Sequence, residues 1–266
     1  SNYIYRTRES VLGGGNRNWL LGPASEFIRY SSILGGDRNQ INGRVQSSAI
    51  IGGQENFIEG PSSGSNNTFG ALIGAGTGNV IREDSDNAII LGGQSHEIEA
   101  NSNGAFIGNG IANTIGTGAT HASILNGQGN NISDDSTHST IAGGQGNSTV
   151  TGTHIFVGGG QNNIASGNHS AIGGGFNNQI SQVGSGFNFI GGGQSNQIVG
   201  NTSSGGNVIV GGGNIGYSTS NIIDYGSCNF IGSGAYRNNN IISGSSYNSA
   251  IVAGEGNIID SNESGF

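Results

Sequence analysis

Four of the five histidines share one phase of a repeating pattern: His121, His138, His154 and His169 each stand six residues ahead of a recurring glycine. Imidazoles stacked one coil apart could ligate a metal ion, or form rings about an axis in a symmetric oligomer. The simpler arrangement is a solvent-facing ladder at the turn before a strand, where Tyr30, Asn87, Asn207 and Asn248 stand in other repeats. No acid or cysteine shares the phase in the four histidine repeats or the repeats next to them, as a mixed ligand set would require. The ladder is therefore the expectation, and these four are the metal candidates. Carboxylates gather at Glu83, Asp84 and Asp86 and at Asp134 and Asp135, in turns between strands. Glycoside hydrolysis needs two carboxyls facing each other across a defined gap. A polysaccharide-degrading tailspike could place such a pair on its surface, but solvated turn charge is expected instead. Neither a P-loop nor HExxH occurs, so no catalytic residue and no cofactor are expected.

The elements that hold these residues are read from a glycine column: Gly15, Gly36, Gly53, Gly76, Gly93, Gly110, Gly127, Gly144, Gly160, Gly175, Gly193, Gly213, Gly234 and Gly254. Three residues before each stands a large aliphatic: Leu12, Ile33, Ile50, Ile73, Ile90, Ile107, Ile124, Ile141, Val157, Ile172, Ile190, Val210, Ile231 and Ile251. Five residues after it a second column holds Leu20, Ile41, Ile58, Ile81, Ile98, Ile115, Ile132, Ile180, Ile198 and Ile259. Two β-branched columns flanked by Gly, Ser and Asn are the signature of two short strands per repeat. A third column is asparagine: Asn18, Asn39, Asn56, Asn79, Asn113, Asn130, Asn147, Asn163, Asn178, Asn196 and Asn257. Glycine and asparagine tolerate left-handed backbone, so Gly-Gly-x-x-Asn is a turn. Stacked amides can also bond from coil to coil, making this a structural ladder.

The expected fold is an all-β parallel β-solenoid, or β-roll, of about fourteen rungs. Residues 11–259 form one repeat domain, 1–10 an N-terminal cap or interface segment, and 260–266 a C-terminal tail. A single coil cannot bury its own aliphatic faces, so stacking is required and association of chains, most simply a homotrimer, is expected.

Composition agrees. Glycine supplies 54 residues, the hydrophobic set only 32% and charged residues 9%. That is too little apolar material for a thick globular core and too little charge for a disordered chain. With two prolines and no Gly-X-Y triplet, collagen is excluded. Cys228 is the single cysteine, so no intrachain disulfide forms. No membrane-spanning stretch or signal-peptide pattern is present, and without any Met the sequence reads as a processed chain or a fragment.

Six of the eight arginines, Arg6, Arg8, Arg17, Arg29, Arg38 and Arg44, fall in the first 44 residues, and the net charge is −8. An acidic chain without a basic stripe is not a nucleic-acid binder. Aromatics gather with Tyr3, Tyr5, Trp19, Phe27 and Tyr30 at one end and Tyr217, Tyr225, Phe230, Tyr236 and Tyr247 at the other. Solenoid ends need capping, and the same rings could stack on sugars or on another subunit. Arg6, Arg8, Arg17 and Trp19 at one end, with Tyr236, Asp260 and Glu263 at the other, form the candidate end interface. Opposite charge there could join chains head to tail into a filament. Longer repeats at 59–70, 200–207, 214–229 and 235–248 are where recognition loops are expected.

The units STIAGGQGN (139–147), SAIGGGFNN (170–178) and FIGGGQSNQI (189–198) resemble the Gly-rich repeats of trimeric autotransporter adhesin heads and of phage and viral tail fibres. The resemblance runs from Val11 to Ile259 and implies a trimer of parallel β-rolls that contacts a host surface. It departs from the adhesins in lacking a stalk and anchor and in its longer rung. It implies a non-enzymatic structural rod, extracellular, at a cell surface or on a virion, that attaches to a surface glycan or protein and inserts into no membrane. The segment GGQGNSTVTG (143–152) also resembles the calcium-binding nonapeptide of RTX proteins. The liganding acid is replaced by Ser148 there, and by Asn131, Phe57 and Gln179 elsewhere, so a calcium site loses its charge.

Overall fold

The computed structural model describes residues 1–24, 28–62, 66–181, 186–200, 205–213, 219–234, 237–244 and 246–261. Among them every element is a strand or a turn, and no helix is long and apolar enough to cross a membrane. The chain is a parallel β-solenoid of about fourteen turns, divided into two compact units, Ser1–His138 and Ser139–Phe266.

In the first unit the strands Val11–Leu12, Ser32–Ile33, Ala49–Ile50, Leu72–Ile73, Ile89–Ile90, Phe106–Ile107 and Ser123–Ile124 pair in parallel, in that order. These form the first face. The register sets Leu12, Ile33, Ile50, Ile73, Ile90, Ile107 and Ile124 over one another. The second face begins with Tyr3–Tyr5 and continues through Trp19–Leu21, Gln40–Asn42, Phe57–Glu59, Val80–Ile81, Glu97–Ile98, Thr114–Ile115 and Asn131–Ile132. Its inward column is Ile4, Leu20, Ile41, Ile58, Ile81, Ile98, Ile115 and Ile132. Tyr3–Tyr5 and Thr7–Arg8 are thus already paired strand, with Arg6 at a left-handed corner between them. From Leu20 and Ile33 onward these side chains are fully buried. In-register parallel pairing places each isoleucine on the one below, where the branched side chain fills the space between coils.

The second unit repeats the plan, with Ile141, Val157, Ile172, Ile190, Ile209, Ile231 and Ile251 on the first face. Thr149, Ala165, Ile180, Ile198, Ile223, Ile242 and Ile259 follow on the second. Val210 does not hold the place that its spacing suggests. Ile209 pairs with Ile190 and Ile231 and is buried, while Val210 is 50% exposed on the outward side. The turn glycine there is Gly212, whose carbonyl accepts from the Asn196 amide. One residue of slip reverses the facing of every side chain, so the buried position decides the phase.

Two strands per rung describes the middle turns. The first turns add a third, Thr7–Arg8, Ile28–Arg29, Val45–Gln46 and Thr68–Phe69, and the second unit adds Gly226–Ser227 against Ser246–Tyr247.

The asparagine ladder closes most turns. Asn56 Nδ2 lies within hydrogen-bond distance of the Gly52 carbonyl, the Gly76 carbonyl one coil on and Asn39 Oδ1. Its own Oδ1 accepts the Asn79 backbone N–H at 3.0 Å. The buried amide is therefore saturated, as burial demands. The second glycine of each pair is required sterically: a Cβ on Gly36, at φ 97°, would sit 2.2 Å from the Gly53 carbonyl oxygen and 2.3 Å from Asn39 Nδ2. The first glycine, Gly35, would meet nothing within 4 Å.

Candidate association and binding surfaces

Outward side chains on the first face are the residues on either side of each buried aliphatic. In the first unit they read Val11 and Gly13, Ser32 and Leu34, Ala49 and Ile51, Leu72 and Gly74, Ile89 and Leu91, Phe106 and Gly108, Ser123 and Leu125. In the second they are Thr140 and Ala142, Phe156 and Gly158, Ala171 and Gly173, Phe189 and Gly191, Val208 and Val210, Phe230 and Gly232, Ala250 and Val252. None is charged. Leu34, Ile51, Leu91 and Leu125 are about half exposed, and Phe156 and Phe189 nearly so.

Each outward phenylalanine stands two residues before a glycine. A Cβ on Gly158 would lie 3.3 Å from the Phe156 ring and 2.3 Å from the Gly173 carbonyl oxygen. Phe106, Phe189 and Phe230 relate to Gly108, Gly191 and Gly232 in the same way. The missing side chain lets each ring lie close to the backbone. Large and small residues share most turns of the first unit, which keeps the strip level.

The second face of the same turns is mixed, with exposed Tyr3, Tyr5 and Trp19 at its start and charged residues from Glu59 to Glu99. Glu59 and Glu97 lie on strands of successive turns and Arg82 directly follows the strand Val80–Ile81 between them, with Arg82 2.7 Å from Glu97 and 3.2 Å from Glu59. Burial pushes the Glu99 carboxyl above its ordinary value, and neighbouring Glu97 adds to that rise.

The histidine column is a left-handed corner. Glu9, Tyr30, Ser47, Asn87, His121 and His138 in the first unit, and His154, His169, Phe187, Cys228 and Asn248 in the second, all have positive φ. Gly206, not Asn207, holds this place in its turn, for the same one-residue reason as Val210. Histidine and asparagine enter this backbone region more readily than most residues. His121 and His138 stack at 5.0 Å and 14°, His154 and His169 at 5.0 Å and 6°, and Phe187 continues the second stack at 4.9 Å. Parallel rings aim their in-plane nitrogen lone pairs in parallel directions rather than at one point. No group of three or more His, Cys, Asp or Glu side chains able to hold a metal ion occurs among the described residues.

His96 is the histidine outside that phase. It occupies the asparagine position of its turn and is fully buried. Its backbone N–H donates to Asn79 Oδ1 and its Nδ1 accepts the Asn113 N–H at 3.1 Å. Nδ1 thus substitutes for the amide oxygen. Nε2 is buried beside Gly93 and the Gly110 carbonyl without a well-aligned partner. Burial holds its pKa below the usual histidine value.

Of the end-interface candidates, Trp19 is 44% exposed on the second face, in register between Tyr3 and Gln40. Arg17, Trp19, Arg38 and Gln40 line a shallow recess of about 280 Å³. Arg6 and Arg8 are not part of it: Arg6 donates to the Ala24 carbonyl and lies over the Tyr5 ring, and Arg8 sits on the strand Thr7–Arg8. Asp260 ends the strand Ile258–Asp260 and is exposed. Tyr236 and Glu263 lie outside the described residues, as do parts of the expected recognition loops at 59–70, 200–207, 214–229 and 235–248.

No protein-family model matches the sequence, and no curated protein matches it either.

Proposed function

We propose that the chain is a non-enzymatic structural module of an extracellular fibre or adhesin head, on a phage, virus or bacterial surface, that assembles as a homotrimer and mediates surface attachment. The first face carries this reading. At a net charge of −8 copies of the chain repel one another, and they meet at least electrostatic cost where no charge is present. Seven strands at about 4.8 Å spacing give each unit an uncharged strip roughly 34 Å long. Contiguous apolar surface of this kind marks an interaction site, and a second copy presents the same level strip in return. The saturated amide ladder and in-register core supply stiffness suited to a fibre.

The test is particle mass in solution together with negative-stain images. Discrete trimers support the proposal. Long threads transfer the reading to a head-to-tail filament, and a stable monomer overturns both. Release of sugar from bacterial capsule would replace it with a polysaccharide-degrading tailspike.

A further inference from the structure

Trp19 is the one tryptophan of the chain, and its ring is exposed rather than packed. On one side it borders the recess shared with Arg17, Arg38 and Gln40, and on the other a second recess lined by Ser1, Tyr3 and Leu21. The two arginines differ in state. Arg38 is held by Asp37 at 3.1 Å and Glu55 at 2.8 Å. Asp37 in turn accepts a hydrogen bond from Asn16 Nδ2 at 2.8 Å, so the Arg38 guanidinium already has its counter-charges in the chain. Arg17 is exposed, and among the described residues no carboxylate lies within ion-pair distance of it. A left-handed backbone at φ 53° fixes its Cα at the corner two residues before Trp19.

We propose that Arg17, Trp19 and Gln40 form a binding site for an acidic sugar, a pyranose that carries a carboxylate. The indole offers a flat apolar platform for the C–H face of a saturated ring. The Arg17 guanidinium matches a carboxylate in a two-pronged contact, and the Gln40 amide can both donate to and accept from ring hydroxyls. A neutral sugar would leave Arg17 without its counter-charge, and an acidic peptide would leave the indole platform unused. This deepens the attachment part of the reading above and rests on it, while association through the first face stands or falls separately.

Because Trp19 is the sole tryptophan, its fluorescence reports this site alone. The experiment titrates the intact chain with galacturonic acid oligomers, neutral galactose oligomers of equal length and polyglutamate, and measures particle mass on the same samples. The expected result is a saturable emission change with the uronate only. Arg17→Gln should weaken it at least about tenfold with circular dichroism unchanged. Calorimetry on Trp19→Ala should show a comparable loss. An equal response to the neutral oligomer, an equal response to polyglutamate, or unaltered binding by Arg17→Gln would each overturn the proposal. So would no saturable change with uronate up to about 10 mM, beyond the range of weak single-site contacts. A monomer that still binds uronate would sink the trimer and leave this site standing.

Discussion

The first and second faces are built from the same coils, with inward columns at the same depth that are aliphatic apart from Thr149 on the second, and differ most in what points outward. The first face carries Leu34, Ile51, Leu91, Leu125, Phe156 and Phe189 with no charge at any outward position. The second carries Gln40, Glu59, Arg82, Glu97 and Glu99 in the first unit, beside exposed Tyr3, Tyr5 and Trp19, and its outward positions from Thr114 to Val199 are uncharged. Fold stability does not call for large outward aliphatics, since Thr114–Ile115 and Asn131–Ile132 bury their isoleucines completely with polar strand neighbours outward. On the reading proposed above, the strip answers to a second copy of the chain.

Charge placed on each face should separate the two most sharply. Leu91→Glu combined with Leu125→Glu is expected to abolish association at micromolar concentration, because each carboxylate would be desolvated in the interface. Thr114→Glu on the second face should leave it intact. Light scattering reads both, and circular dichroism should show both variants folded.

The next effect is shared by both faces. Asn56→Leu removes the amide that serves Gly52, Gly76 and the Asn79 N–H. It should cost about 3 kcal/mol or more, since buried backbone groups lose their partners, read as a lowered denaturation midpoint. A loss under about 1 kcal/mol would show that the ladder is decorative.

His96 gives the pH dependence. A proton on Nδ1 would turn the acceptor of the Asn113 N–H into a donor. Its folded pKa is lowered, so below the ordinary imidazole value near 6.5 the unfolded chain takes up a proton that the folded chain refuses. The contribution is complete above that pH and is lost as pH falls from there through the depressed folded value. His96→Asn restores the amide and should flatten stability across that window, whereas an unchanged slope would assign the acid response elsewhere.

The smallest change is expected on the second face. Arg82→Gln removes exposed contacts to Glu59 and Glu97 and should cost about 0.5 kcal/mol, shrinking with salt.

Much of the fold was legible because side chains one coil apart must stack, and Ile50, Ile73 and Ile90 do stand in one register. The reading failed where insertions shift the offset. Asn221 and Asn240 continue the amide ladder from Asn196, and Ile223 and Ile242 continue the core, yet none lies at the regular distance from its glycine. Thr149 and Ala165 were missed because a buried column was assumed to be aliphatic. Of the candidate site, the histidine column was visible as a phase, but its left-handed backbone was not. The uncharged first face was present in the sequence as the residues flanking each isoleucine. It goes unnoticed when only the inward positions are followed. The Trp19 recess needed coordinates, since the cross-strand neighbours Tyr3 and Gln40 are distant in sequence.

The most direct test is the molar mass of the intact chain by light scattering at micromolar concentration. The account predicts three times the 26.7 kDa chain mass, held together by the uncharged face. A particle of 26.7 kDa with a folded β spectrum would contradict it.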